Sequence, residues 1–208
     1  MARGLIVLLL VAAMPAAAAP GLFSGTGLQG WTPQAFSGKA PTQYRLAGDV
    51  LEAQCRAGAS GLIWKERIDL TRAPTLSWRW RVDGIYPALD ERTKAGDDFP
   101  ARVYVVRDGG WAFWRTRSLV YVWSSREPAG SDWPSAYTDQ ARVVALRSGA
   151  AEAGQWREER RDVRADFRRY FGVDLDHIDG VALMTDCDDA RGAATAGYGD
   201  LRFEPSRR

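Results

Sequence analysis

Histidine occurs once in this chain of 208 residues, at position 177, and cysteine only twice, at 55 and 187. A single histidine excludes a zinc centre built on several imidazoles. It also leaves a Ser-His-Asp triad nothing but His177 to recruit, and Ser124 and Ser125 show no strand-turn-helix setting for a nucleophile. There is no CxxC pair and no glycine-rich phosphate loop. Neither sign of charge prevails, since 28 Lys+Arg stand against 26 Asp+Glu. The densest basic run, residues 158–169, alternates with acids in the manner of a solvated face. No basic stripe interleaved with aromatics follows, so nucleic acid is not an expected partner.

The one long apolar stretch is N-terminal. Arg3 precedes an apolar run at 4–14, and small residues at 16–19 offer cleavage sites, which together describe an export signal. Cleavage after Ala18 avoids starting the mature chain on Pro20. The run is short for a membrane span, and no cysteine marks a lipid-anchor site. An uncleaved N-terminal anchor is the alternative. Residues 1–18 are therefore expected to be a signal peptide and 19–208 one domain without a membrane span, periplasmic or secreted. In such a compartment Cys55 and Cys187 can pair. Otherwise Cys55 is a small buried hydrophobe and Cys187 a loop thiol.

Alternation of apolar and polar residues is the main local signal. In LSWRWRV (76–82) Leu76, Trp78, Trp80 and Val82 fall on one face, and Ser77, Arg79 and Arg81 on the other. Similar runs recur at 50–56, 62–68, 101–107, 119–124, 141–147, 156–162, 181–186 and 199–203. Turn residues such as Asp83-Gly84, Asp108-Gly109-Gly110 and Pro128-Ala129-Gly130 separate them. The pattern predicts an all-β antiparallel sandwich or jelly roll. One short helix is expected, capped by Asp162, with Phe167, Tyr170 and Phe171 at helical spacing and Gly172 at its end.

Several longer segments, GDDFPARVYVV (96–106), YVWSS (121–125) with its Pro-Ala-Gly turn, WPSAYT (133–138), GVALMTD (180–186) and AGYGDLRF (196–203), occur in one order. In these the chain strongly resembles the bacterial family known as domain of unknown function 3047, over roughly residues 44–203. The resemblance implies an exported β-sandwich of the kind seen among carbohydrate-binding modules and galactose-binding-like jelly rolls. It supplies no catalytic residues. Jelly-roll modules of that kind often hold a structural calcium near their terminal strands, and Asp200 resembles that position. Cys187 departs from the small residue expected in its loop, which makes a bridge particular to this protein.

The acids Asp97-Asp98, Asp186, Asp188-Asp189 and Asp200 lie beside predicted strand ends, where the loops of a sandwich gather. Convergent carboxylates suit a structural calcium, with Asp186, Asp188 and Asp200 as candidate ligands. The plainer alternative makes them turn and cap residues or partners of Arg102 and Arg191. Asp97 and Asp186 are the candidates for a glycosidase pair, which needs carboxyls ~5 Å or ~6.5–9.5 Å apart. Nine tryptophans form the second group. Trp78 and Trp80 alternate cleanly and read as core, whereas Trp111, Trp114 and Trp133 stand outside clean alternation and suit ligand stacking. Tyr121 and Trp123 belong to a strand apolar on both faces, lining core on one side and core or a cleft on the other.

The expectation is thus a non-enzymatic sandwich that binds a glycan or cell-envelope polymer through Trp111, Trp114, Tyr121, Trp123, Trp133, Asp97, Asp98 and Arg102. A polysaccharide hydrolase using Asp97 and Asp186, and a structural protein that docks a protein partner, are the alternatives.

Overall fold

A computed structural model describes residues 27–86, 89–112 and 115–206. The expected signal peptide and Trp114 lie outside these residues. The strands are β1 (Trp31–Ala35), β2 (Gln43–Ala47), β3 (Val50–Arg56), β4 (Ala59–Asp69), β5 (Thr75–Val82), β6 (Ala101–Arg107), β7 (Arg117–Ser124), β8 (Asp132–Ser135), β9 (Thr138–Ser148), β10 (Arg157–Asp162), β11 (His177–Asp186) and β12 (Ala193–Glu204). They form a seven-stranded sheet in the order β1-β4-β11-β6-β7-β9-β8 and a five-stranded sheet in the order β10-β5-β12-β3-β2. Pairing is antiparallel except for β7 with β9. The sandwich with one short α-helix is the architecture the alternation predicts. No helix among the described residues is long and apolar enough to cross a membrane.

The core forms where the alternating faces meet. From the smaller sheet come Leu51, Leu76, Trp78, Trp80, Val82, Tyr198 and Phe203, and from the larger Val103, Val105, Leu119, Tyr121, Trp123, Val181 and Leu183. Trp78 meets Trp80 edge-on at 5.4 Å and Tyr121 at 5.5 Å, while Trp80 packs on Trp123 at 6.1 Å. Each ring removes ~150–250 Å² from water, so these aromatics dominate the burial. The polar atoms of Trp80, Tyr121 and Trp123 are met, whereas the Trp78 indole N–H has no partner among the described residues. The Tyr121 hydroxyl donates to Asp166 (2.7 Å), and the Trp123 indole donates to the Gly149 carbonyl (3.1 Å).

The helix α1 (Val163–Phe171) follows β10 directly. Asp162 accepts from the Ala165 amide at 2.9 Å, and Gly172 ends the helix at a left-handed φ of 67°. Val163 and Phe167 turn inward and join the core. On the outer face of the smaller sheet the Trp156 ring packs against Gly197. A Cβ there would stand 2.7 Å from the ring, and Arg79 and Arg81 stack over it at 5.0 and 5.7 Å.

Cys55 of β3 and Cys187, just past β11, are joined in a disulfide across 132 residues, with Cα atoms 6.1 Å apart. The bond ties the two sheets at one end, packed by Tyr86 and Ala194. Gly58 sits beside it, where a Cβ would come within 2.2 Å of the Ala40 carbonyl. That close approach forms the Ala40–Gly58 bridge and brings Lys39 to the same end of the molecule.

Candidate functional site

The outward face of the larger sheet carries the site. Because Ala101, Val103 and Val105 of β6 point into the core, the residues between them, Arg102 and Tyr104, point the other way. β11 contributes Met184 in the same fashion, between the core residue Leu183 and the end of the strand. These side chains floor a cavity of ≈ 370 Å³ whose wall is built from Asp97, Asp188 and Asp189, with Phe36, Lys39 and Tyr137 at its rim. Phe36 is 41% exposed and Tyr137 is 60% exposed, so both rings present apolar faces to solvent. Tyr137 is steadied by its hydroxyl, which donates to the Lys94 carbonyl at 3.3 Å.

Arg102 is the hub beneath this cavity. Its guanidinium donates to the Asp97 carboxylate (2.9 Å), to both carboxylate oxygens of Asp186 (one at 3.1 Å) and to the Tyr104 hydroxyl (3.3 Å). A further donation reaches the Asp97 carbonyl. Burial works against the Arg102 charge, but the Tyr104, Asp97 and Asp98 oxygens outweigh it and hold the guanidinium above its ordinary pKa. Asp186 also accepts from the Phe99 amide at 3.0 Å, and its carbonyl accepts from the Tyr86 hydroxyl at 2.8 Å. The strand end that carries Asp186 is therefore fixed on three sides.

Asp98 behaves differently from its neighbour. It is 1% exposed, accepts from the Ala190 amide at 2.6 Å through Oδ2, and has no partner for Oδ1 among the described residues. Burial, with the nearby Asp188 and Asp189 charges, pushes its carboxyl up to about 6. Burial and Asp188 likewise raise Asp189. Asp188 is ion-paired with Lys39.

The sequence-predicted residues divide accordingly. Asp97, Asp98, Arg102 and Asp188 converge at or beside the cavity. Tyr121 and Trp123 do not, because both are wholly buried between the sheets. Trp133 is also buried, packed on Phe99 at 6.4 Å in a cluster with Val120, Val122, Val143 and Ala145 that covers the outer face of β7 and β9. The stacking role expected of these three rings is thus corrected, since core packing has taken their faces. Trp111 is 89% exposed but lies at a separate hollow formed with Arg115, Val173 and Leu175. The expected metal set also changes. Asp186 is turned into the Arg102 pair, while Asp188 is grouped with Asp98 and Asp189. Asp200 lies in β12.

Asp97 and Asp186, the expected hydrolytic pair, clasp one guanidinium and serve as its counter-ions. His177 opens β11 and is buried. It bonds Asp176 and Arg67 and stands 3.6 Å from Asp179, far from this chemistry in role. Sequence reasoning overlooked Phe36, Lys39, Tyr104 and Tyr137, and named Asp189 only as one of a group of acids. Tyr137 had a signal, since it shares the WPSAYT segment with Trp133 and is the ring next to the hairpin turn. A larger hollow of ≈ 400 Å³ on the smaller sheet is lined by Arg and Glu side chains such as Arg79, Arg160 and Glu204. Arg160 is paired there with Glu204 at 2.5 Å, and among the described residues no exposed aromatic ring borders it.

Two facing sheets tied by a disulfide at one end, with an acid-walled, aromatic-rimmed cavity on one of them, make the molecule a β-sandwich. The fold is similar to the xyloglucanase domain of NopAA, a type three effector from Sinorhizobium fredii solved in complex with cellobiose. That likeness has a TM-score of 0.50 at 9% identity, over 86% of this chain and 95% of that one. A family 11 carbohydrate-binding module of the Clostridium thermocellum cellulase Lic26A-Cel5E is also similar, with a TM-score of 0.47 at 11% identity over 92% and 97% of the two chains. At such identities the likeness concerns the fold alone. No curated protein matches the chain in sequence. The chain belongs to the family described as "Protein of unknown function (DUF3047)", whose model matches residues 29–202.

Proposed function

We propose that this protein binds a glycan or cell-envelope polymer, without catalysis, in the cavity on the outer face of the larger sheet. The observation that carries the reading is the pair of exposed rings, Phe36 and Tyr137, at the rim of a cavity walled by carboxylates. A pyranose has an apolar face that stacks on such rings and hydroxyls that donate to carboxylates such as Asp97, Asp188 and Asp189. The buried Arg102 network beneath holds the floor rigid, which limits the ordering cost of binding. The sugar ligand bound by the xyloglucanase domain of similar fold agrees with this reading but assigns no residue here.

The hydrolase alternative weighs less, because Asp97 and Asp186 are both committed to Arg102. Export to the periplasm belongs to the same proposal. It is supported by the Cys55–Cys187 bond, a kind that persists in oxidising compartments.

The test is calorimetric titration of the mature chain against a panel of neutral, amino and acidic oligosaccharides. One glycan class should bind, and Tyr137→Ala and Phe36→Ala should each weaken it by roughly tenfold, equivalent to about 1.4 kcal/mol. Their melting temperatures should stay at the wild-type value. Failure of every glycan to bind, or wild-type affinity in both variants, would sink the proposal.

A further inference from the structure

We propose that Asp98, Asp188 and Asp189 form a binding site for a hard divalent cation, calcium above all, beside the cavity. Each of the three residues offers a carboxylate oxygen, and those oxygens all lie within 4.8 Å of one another. Acids gather on protein surfaces for many reasons, so the spacing alone would mean little. The second observation is the state of Asp98. Its side chain is 1% exposed, yet Oδ1 has no donor among the described residues, and the Ala190 amide satisfies only Oδ2. A buried carboxylate oxygen left without a partner is costly, and the carboxylate that carries it belongs to the cluster, where a cation would satisfy it.

The surroundings favour a metal over further protein donors. Arg102 is already committed to Asp97 and Asp186, and the Tyr86 hydroxyl to the Asp186 carbonyl. Among the described residues Lys39, on Asp188, is the one cation ion-paired with a member of the cluster, and it is half-exposed. The loop is also held in place beforehand. Cys187 is locked by its disulfide, its amide donates to the Gly58 carbonyl at 2.9 Å, and its carbonyl accepts from the Gly192 amide at 3.3 Å.

The donor set selects the ion. All its ligand atoms are carboxylate oxygens, both cysteines are bonded to each other, and the sole histidine is engaged elsewhere. Soft metals are therefore disfavoured. Calcium accepts six to eight oxygens in irregular geometry and completes its shell with water and carbonyls, whereas magnesium demands a near-ideal octahedron. Asp188 and Asp189 line the cavity, so the ion would stand at its wall. This inference does not depend on the glycan reading, and its test contains no sugar.

The experiment uses the mature chain freed of metal with EDTA and titrated with terbium, whose emission the neighbouring Tyr137 sensitises. A saturable signal that calcium displaces far better than magnesium is expected. Asp189→Asn should weaken calcium at least about tenfold, since it removes one charged ligand. Lys39→Met, which deletes the competing ammonium, should tighten it on the order of tenfold. Both variants should fold normally in EDTA by circular dichroism. No saturable terbium signal and no calcium-dependent melting shift would overturn the proposal. Wild-type affinity in both variants would overturn it equally, by placing any bound ion elsewhere.

Discussion

Replacing Arg102 by methionine keeps the aliphatic stem over Phe99, 4.7 Å from the guanidinium, and removes every charged donor of the hub. The Arg102 and Asp186 side chains are 4% and 3% exposed, and Asp97 is 10% exposed. After the substitution the Asp186 carboxylate keeps the Phe99 amide and loses its counter-ion. Removing one partner of a buried pair strands the other charge and costs about 3–5 kcal/mol. For a domain of this size about 1 kcal/mol moves the melting midpoint by ~2–4 °C, so a fall of roughly 6–20 °C is expected. Urea melts at about pH 8 and about pH 4 separate the causes, because a stranded carboxylate can take up a proton in acid. The deficit should therefore narrow at the lower pH. Adding Asp186→Leu should recover part of the loss, since an apolar replacement removes the charge that Arg102→Met orphaned. A deficit under about 1 kcal/mol, or one equal at both pH values, would refute the account of Arg102 as the counter-ion of a buried acid.

Other outcomes follow from features already described. Cys55→Ser with Cys187→Ser should lower stability by about 2–5 kcal/mol in urea melts, because the bond closes a loop spanning 132 residues; an unchanged midpoint would show that the sheets hold that end alone. Gly197→Ala should cost about 1–2 kcal/mol in the wild type and close to nothing with Trp156→Ala, since the added methyl meets that ring at 2.7 Å. In EDTA, stability should fall as pH rises from about 4 through about 6. Asp98 is pushed up from 3.8 to about 6 in the folded state and burial raises Glu91 too, so the folded chain holds protons that the unfolded chain releases over that window. Asp98 alone contributes on the order of 2 kcal/mol to this slope, and Asp98→Asn should flatten it; a slope identical in the variant would count against the assignment.

How far the sequence could be read depends on how far each signal is local. An interior strand such as β5 shows clean alternation because both its neighbours and the core constrain every second residue. The strands that escaped notice, β1, β2 and β8, are all sheet edges. β1 and β8 contain Pro33 and Pro134, which a ladder tolerates only at an edge, and β1 buries only Trp31. The acids of the site were legible as a group, but their partners were not. Asp186 and Asp188 differ by two positions, yet one faces Arg102 and the other Lys39. Which of Trp133 and Tyr137 faces solvent depends on how the β8–β9 hairpin lies against Phe99, a contact 34 residues away from Trp133 along the chain. Tyr121 and Trp123 read correctly as residues of a strand apolar on both faces, but alternation cannot say which face meets the other sheet.

The strand order also governs when the molecule can close. β12 lies between β5 and β3 at the middle of the smaller sheet, and β11 lies between β4 and β6 inside the larger one. Both are the last strands of the domain to emerge during synthesis. Until then β2–β3 is an isolated hairpin and β4 and β5 lack their central partners, so neither sheet can be completed. Pairings of such long sequence separation are slow to form. A nascent chain thus holds both halves of the sandwich open until its C-terminal strands arrive to join them.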